Sequence, residues 1–225
     1  MLVIPVIDLK DGLAVHAARG DRTRYAPLDC PLCRSADPYD LLDAYLAIHR
    51  FPRIYIADLN ALAGHGTDHL EMLQGIVIYQ PEIEFWVDAG LSGLQSTTAW
   101  RPVVGTESID DPAQWQQICR PRNAVLSLDY RNGKLIGPSA WQHTPPACDD
   151  LIIMELDRVG SGTGPGLARA QMFRRKLTNL RVYAAGGVRN STDLNRLAAL
   201  GFNGVLVATA LQQGWLQSAD LSSLG

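Results

Sequence analysis

Eight short apolar runs punctuate the chain, and they fall into two sets of four that echo one another in order. Val6-Ile7-Asp8-Leu9-Lys10-Asp11-Gly12 is repeated in kind by Ser127-Leu128-Asp129-Tyr130-Arg131-Asn132-Gly133. Each reads as a strand that ends on an aspartate and runs into an Asp-Gly or Asn-Gly turn, the dipeptides that best accept positive φ. Ile54 to Asn60 corresponds to Leu151 to Asp157, each an apolar strand closed by an acid and followed by a Gly-Thr loop (Gly66-Thr67, Gly162-Thr163). Phe85 to Ser92 corresponds to Val182 to Arg189, and Val103 to Glu107 to Leu206 to Ala210.

Helical signals lie between the strands. Asp37-Pro38 places a cap residue before proline at the first helical position of Tyr39 to His49, and Asp111-Pro112 does the same for a helix running to Cys119. Thr67 to Leu73, Pro165 to Leu177 and Ser191 to Leu200 read likewise. Strands that are apolar throughout and alternate with helices imply a parallel sheet covered on its faces. Eight such units predict a closed (β/α)₈ TIM barrel with an internal two-fold repeat, its half-barrels at about 1–119 and 120–225. The repeat uses the whole chain, so a single domain spanning residues 1–225 and no linker is expected.

Composition narrows the function. A net charge of −3 gives no basic footprint for nucleic acid. Arg19, Arg22 and Arg24 cluster in one loop with Asp21 among them, which suits a small anion better than a duplex. No apolar run approaches the roughly 20 residues that span a bilayer, and no cationic segment precedes the first strand, so a cytoplasmic protein without a membrane partner is expected. Four cysteines are too few for a disulfide scaffold, and the lone Cys30-Pro31-Leu32-Cys33 reads as loop thiols. His65 and His69 have no third metal ligand spaced with them and read as surface histidines; no motif calls for a metal, a nicotinamide or a flavin. Nothing in the sequence specifies an oligomeric state.

The fold places chemistry at the C-terminal ends of its strands. Asp8 and Asp129, on opposite strands, would face each other across the mouth, as suits general acid and base catalysis if one carboxyl has a raised pKa. Each alone reads equally as a loop cap or as the partner of Lys10 or Arg131; their equivalence in the repeat favours function. Gly186-Gly187, with the cap signal Ser191-Thr192-Asp193, and Ala208-Thr209 would form a phosphate site between strands seven and eight. Gly90 with Gly105-Thr106 would form its symmetric counterpart between strands three and four. Two such sites would hold a small, elongated bis-phosphorylated substrate. Each glycine turn alone also fits a plain tight turn. Trp141 either stacks on a planar ligand or covers the barrel, and Trp86, inside a strand, is expected to pack.

Ile4 to Gly12, Arg19-Gly20-Asp21, Ile56-Ala57-Asp58-Leu59, Val104-Gly105-Thr106, Leu128-Asp129 and Ala185-Gly186-Gly187-Val188 together resemble the phosphoribosylformimino-aminoimidazole-carboxamide-ribotide isomerases of histidine biosynthesis. They resemble the sister cyclase of imidazole glycerol phosphate synthase as well, and the likeness covers the full chain. It implies an Amadori rearrangement of an aminoaldose to an aminoketose, with Asp8 as base, Asp129 as the acid that opens the ribose ring and Trp141 packed on substrate; Arg19, in a matching stretch, is counted among the substrate- or phosphate-binding candidates. Gly105-Thr106 favours isomerase over cyclase. The departures are specific. Met154 and Val159 stand where the family has a threonine and an aspartate, Asp88-Ala89-Gly90-Leu91-Ser92 where it has Gly-Gly-Gly-Ile-Arg, and Ala208-Thr209 where it has glycine followed by a base. They leave open a divergent paralogue acting on another phosphorylated substrate. One-carbon pterin cofactor biosynthesis, with which isomerase-like relatives of this loop pattern are associated, is one setting; a non-catalytic phospho-ligand binder is the other alternative.

Overall fold

The computed structural model describes residues 1–64, 69–91, 94, 99–176 and 180–222. His65, the Gly66-Thr67 loop, Ser92 and Leu177 lie outside the described residues.

The barrel strands are β1 (Leu2–Lys10), β4 (Arg53–Asp58), β5 (Glu84–Asp88), β6 (Arg101–Gly105), β7 (Val125–Arg131), β9 (Asp150–Glu155), β10 (Arg181–Ala185) and β11 (Gly204–Val207). Every neighbouring pair is parallel, and β1 closes the ring on β11 by pairing Leu2 through Pro5 with Gly204 through Val207. The chain is therefore the (β/α)₈ barrel that its pattern of runs predicts. Two hairpin extensions decorate the mouth. β2 (Leu13–His16) folds back on β1 and is followed by the short β3 (Ala26–Pro27); β8 (Lys134–Leu135) folds back on β7. Their turns are Asp11-Gly12 and Asn132-Gly133, and all four residues have positive φ (52°, 80°, 50° and 74°).

Five helices follow the expected segments: α1 (Pro38–Ile48), α3 (Leu70–Tyr79), α4 (Pro112–Arg122), α5 (Leu167–Lys176) and α6 (Ser191–Ala199). Asp37 caps α1 by accepting from Tyr39 N (2.8 Å), and Asn190 caps α6 by accepting from Asp193 N (3.1 Å). Three shorter helices, α2 (Leu59–Ala63), α7 (Thr209–Gln212) and α8 (Ser218–Ser222), carry no sequence signal long enough to announce them. Among the described residues, no helix is long and apolar enough to cross a membrane.

The core has two layers. Between sheet and helices pack residues such as Ile7, Leu42, Leu126, Phe173 and Leu197. Inside the barrel, Ile4, Tyr55, Trp86, Val125, Ile152 and Tyr183 point inward from successive strands. Trp86 is fully buried there and meets Tyr183 edge to face at 4.8 Å, the packing role its position suggests. Truncating such a residue to alanine costs about 3–5 kcal/mol.

The floor beneath this layer is ionic. Arg53, Glu84, Arg101, Asp150 and Arg181 each occupy the first position of a barrel strand, so they meet at the N-terminal edge. Asp150, fully buried, takes Arg181 in two-pronged fashion (2.6 and 2.7 Å), Arg101 at 2.5 Å and the Tyr183 hydroxyl at 3.0 Å. Arg53 donates to Glu84 (Nε, 2.7 Å) and lies over the Trp86 ring at 4.2 Å.

Candidate active site

The C-terminal edge of the strands opens into a pocket holding about 880 Å³ of empty space, counted out to its open mouth. Parallel strands all end on this side, so the residue that closes each strand is presented to the pocket or to the loop that follows it.

Five strands of the barrel end on or near an acid, and the structure treats these acids differently. Asp58, at the end of β4, is buried and fully engaged. It accepts from the backbone N–H groups of Asn60 and Ala61 (3.1 Å each) and His69 (3.0 Å), and from the His69 ring at Nδ1 (2.8 Å). His69 Nε2 in turn accepts from Gly12 N at 2.9 Å, so the ring proton sits on Nδ1. The expectation of a surface histidine at 69 is corrected: the ring is buried and bridges the β1 hairpin to the end of β4. A buried carboxylate demands a donor, and this histidine supplies it. Glu155, closing β9, is held by Arg169 (2.6 Å).

The other three acids line the pocket without a cation of their own. Asp8 and Asp129 stand on β1 and β7, which are separated by three strands in either direction around the ring, so they oppose each other across the mouth. Asp8 is half-buried, and its carboxylate has no hydrogen-bond partner among the described residues. Burial pushes it up to about 7, against the opposing pull of the Arg22 charge. Asp129 is buried and pushed up to about 8, first by burial and then by the charge of Glu107. It is nonetheless well supported: Ser127 Oγ donates to Oδ1 (2.6 Å), Glu107 N to Oδ2 (3.3 Å), and the Asp129 N–H donates to Thr106 Oγ1 (2.9 Å). Asp88, at the end of β5, is likewise pushed up to about 7 by burial and by Glu107; it accepts from Tyr55 Oη (3.1 Å) and Gly90 N (3.3 Å).

The residues singled out by sequence divide here. Gly186, Gly187, Ala208 and Thr209 line the pocket with Asp8 and Asp129. At α7 the N–H groups of Leu211 and Gln212 donate to the Ala208 carbonyl (3.0 and 3.1 Å), which leaves those of Thr209 and Ala210 without an intrahelical acceptor, and Ala208 offers no side-chain cap. Both glycines have positive φ (103° and 85°), and a Cβ would sit 2.5 Å from the Glu155 carbonyl oxygen at 186 and 2.3 Å from that of Gly164 at 187. Backbone crowding therefore requires glycine here independently of any ligand.

Gly90, Gly105, Thr106, Arg19 and Trp141 do not form part of the pocket wall. Thr106 is fully buried, and Gly105 leaves room for Asp129, whose Oδ2 would lie 2.5 Å from a Cβ there. Arg19 has φ 53° and hydrogen bonds through its backbone to Val159 O (2.8 Å). Arg22, from the same loop, reaches the pocket instead and pairs with Glu107. Trp141 packs edge to face on Trp115 of α4 at 6.5 Å.

Sequence reasoning missed Asp88, Glu107 and Arg22 as site residues. A signal for Asp88 was present, since an acid stood where a phosphate turn wants glycine. Met154 and Val159 do line the pocket, giving an apolar wall beside the β9 strand end. Cys30 and Cys33 are buried free thiols in the loop before α1, with Cys33 N donating to Cys30 Sγ (3.4 Å). Among the described residues, no group of three or more His, Cys, Asp or Glu is arranged to hold a metal ion.

Residues 2–217 match the family model described as "Histidine biosynthesis protein". An uncharacterized protein of Methanocaldococcus jannaschii is 33% identical over 98% of this chain and 97% of its own length. The 1-(5-phosphoribosyl)-5-((5-phosphoribosylamino)methylideneamino)imidazole-4-carboxamide isomerases of Marinobacter nauticus and Alkalilimnicola ehrlichii are 27% and 24% identical, over 98% and 100% of this chain and 96% of their own lengths.

Proposed function

Because the chain belongs to the histidine biosynthesis protein family, we propose that it is an intramolecular isomerase, converting a phosphorylated ribosylamine from aminoaldose to aminoketose. The observation that carries this reading is the pair of opposed pocket carboxyls with pKa values pushed up to about 7 and about 8. An acid that must give a proton and a base that must take one both work best with pKa values near the operating pH. Asp129, the higher of the two, is protonated at neutral pH and gives its proton to the ribose ring oxygen. The C1–O bond then breaks, leaving a protonated imine. Asp8, the lower, removes the proton from C2; the C–H pair forms the C1–C2 double bond and the imine π pair returns to nitrogen, giving the enolamine. Return of a proton to C1, with loss of the C2 hydroxyl proton, yields the aminoketose.

After its proton has left, the Asp129 carboxylate is received by the Ser127 hydroxyl and the Glu107 N–H, at 2.6 and 3.3 Å. Phosphate binding is assigned to the Gly186, Gly187, Ala208 and Thr209 end of the pocket, where backbone N–H groups and no acid line the wall. A cytoplasmic setting suits such a metabolite.

The test is proton exchange in D₂O. Ribose 5-phosphate forms glycosylamines spontaneously with primary amines, and these, together with the bis-phosphorylated substrate of the named isomerases, are offered to the purified protein. Incorporation of deuterium into the aminoketose is expected with at least one member of the panel, abolished by Asp8→Asn and by Asp129→Asn while affinity for inorganic phosphate persists. Ligand binding without exchange across the panel would replace the enzyme by a phospho-ligand binder.

A further inference from the structure

The rim of the pocket is electrically divided. Around the arc from β1 through β5 and β6 to β7 stand Asp8, Asp88, Glu107 and Asp129, opposed by the single guanidinium of Arg22, which is already committed to Glu107. No other cationic side chain lines the pocket among its described residues. The loops after β5 and β6 add no positive charge either; the cations of this arc, Lys10, Arg19, Arg24 and Arg131, sit at the ends of β1 and β7 or in the loop after β1 and do not line the pocket. Residues 89–100 and 105–119 contain no lysine, arginine or histidine, and the second of these adds Asp110 and Asp111. Around the remaining arc, from β9 to β11, the wall is Met154, Val159, glycines, Ala208 and Thr209, with no acid. Its loops carry Arg158 beside Asp157, and Arg189, which is paired with Asp193 (2.8 and 2.9 Å).

The acidic arc is also where a second phosphate would have to sit in a ligand spanning the pocket. Among the described residues, the backbone donors at these strand ends are already engaged. Glu107 N points at Asp129, Gly90 N points at Asp88, and Thr106 Oγ1 accepts from the Asp129 backbone. A phosphate dianion placed there would meet Glu107 and the ionised fractions of Asp8 and Asp88 in a partly desolvated site, a costly juxtaposition. A cation or a donor-rich group would instead be drawn to Asp88 and Glu107, which share this wall of the cavity.

We propose that the pocket takes a ligand with a single phosphate, seated at the Gly186 to Thr209 end, whose other end is a protonated amine, amidine or comparable hydrogen-bond-donating group held by Asp88 and Glu107. In substrate terms this is a ribosylamine 5-phosphate whose nitrogen carries a cationic or donor-rich substituent in place of a second phosphoribosyl group. The inference rests on the phosphate assignment made above, and the probes below separate the two.

Calorimetry with the full-length protein compares inorganic phosphate, octyl phosphate, 8-aminooctyl phosphate, octane-1,8-diyl bisphosphate and octylamine. The aminoalkyl phosphate is expected to bind at least tenfold more tightly than either the alkyl phosphate or the bisphosphate. Asp88→Asn and Glu107→Gln should each reduce that preference several-fold. Unchanged affinity for inorganic phosphate in these variants shows that they remain folded with the other end intact. Equal or tighter binding of the bisphosphate overturns the proposal. Amine binding that depends on Asp88 and Glu107 without any phosphate binding supports the acidic arm and sinks the phosphate assignment. Failure of both phosphate and amine to bind sinks both.

Discussion

The floor and the mouth of this barrel both bury carboxyl groups, and they handle them in opposite ways. At the floor Asp150 is fully buried, yet two arginines and a tyrosine hydroxyl surround it, and its pKa is lowered because their hydrogen bonds and charges outweigh the burial that would raise it. At the mouth Asp8, Asp88 and Asp129 have hydroxyl or backbone donors at best, and burial prevails. The same residue type is thus held as an anion at one end and left with a raised pKa at the other, and what decides is whether a guanidinium stands beside it. The floor holds the strands together. The mouth keeps its protons exchangeable, at some cost to stability.

The largest expected effect breaks the mouth alone. Asp8→Asn or Asp129→Asn should lower isomerase turnover by about 10³-fold, within the usual range for a lost general acid or base, while thermal stability stays level or rises. A fall in stability of the size expected at the floor would mean that the mouth acids are structural.

Next, Asp150→Asn should destabilise the fold by about 3–5 kcal/mol, because removing one member of a buried ion cluster leaves its partners uncompensated; chemical denaturation measures this directly. Turnover of the surviving folded protein should be unchanged.

The third prediction concerns pH. The mouth acids have folded-state values of about 7 to 8 against 3.8 for the ordinary carboxyl, so the folded state holds protons that the unfolded chain gives up. Their contribution to stability is present below about pH 4 and is lost as pH rises through about 7 to 8. Asp150, with a lowered value, contributes in the opposite sense: its stabilisation is present above its ordinary value and is lost as pH falls through its folded one. Unfolding curves from pH 4 to 9 should therefore show falling stability toward alkaline pH, with a shallower slope in Asp129→Asn. An unchanged slope in that variant would assign the effect elsewhere.

The smallest effect is that of Ser127→Ala. It removes the 2.6 Å donor to Asp129, costs about 1 kcal/mol in stability, and moves the alkaline limb of the pH–rate profile upward, since that hydrogen bond favours the charged form.

The strands and most helices were legible because period and punctuation are local: apolar runs ending on Asp-Gly, and Asp-Pro ahead of helices. The opposition of Asp8 and Asp129 was legible too, since it follows from counting strands around a closed ring. The partners of buried charge were not. His69 lies 11 residues beyond Asp58 and 57 beyond Gly12, and only the folded chain brings the three together. Arg22 meets Glu107 across 85 residues, which is why Arg19, equally basic and three positions away, was as good a candidate from sequence. Trp141 could be placed in its loop, but its packing against Trp115 depends on where α4 lies.

Gly105 shapes what this barrel can become. Sequence suggests a phosphate turn at that position; in the structure its missing methyl group is the space that the Asp129 carboxyl occupies, with a Cβ falling 2.5 Å from Oδ2. A change to alanine, the mildest substitution available, would push the acid out of register while leaving every ionisable group in the protein in place. Such a residue acts as a silent veto: the Asp129 carboxyl keeps its seat only while position 105 carries no side chain.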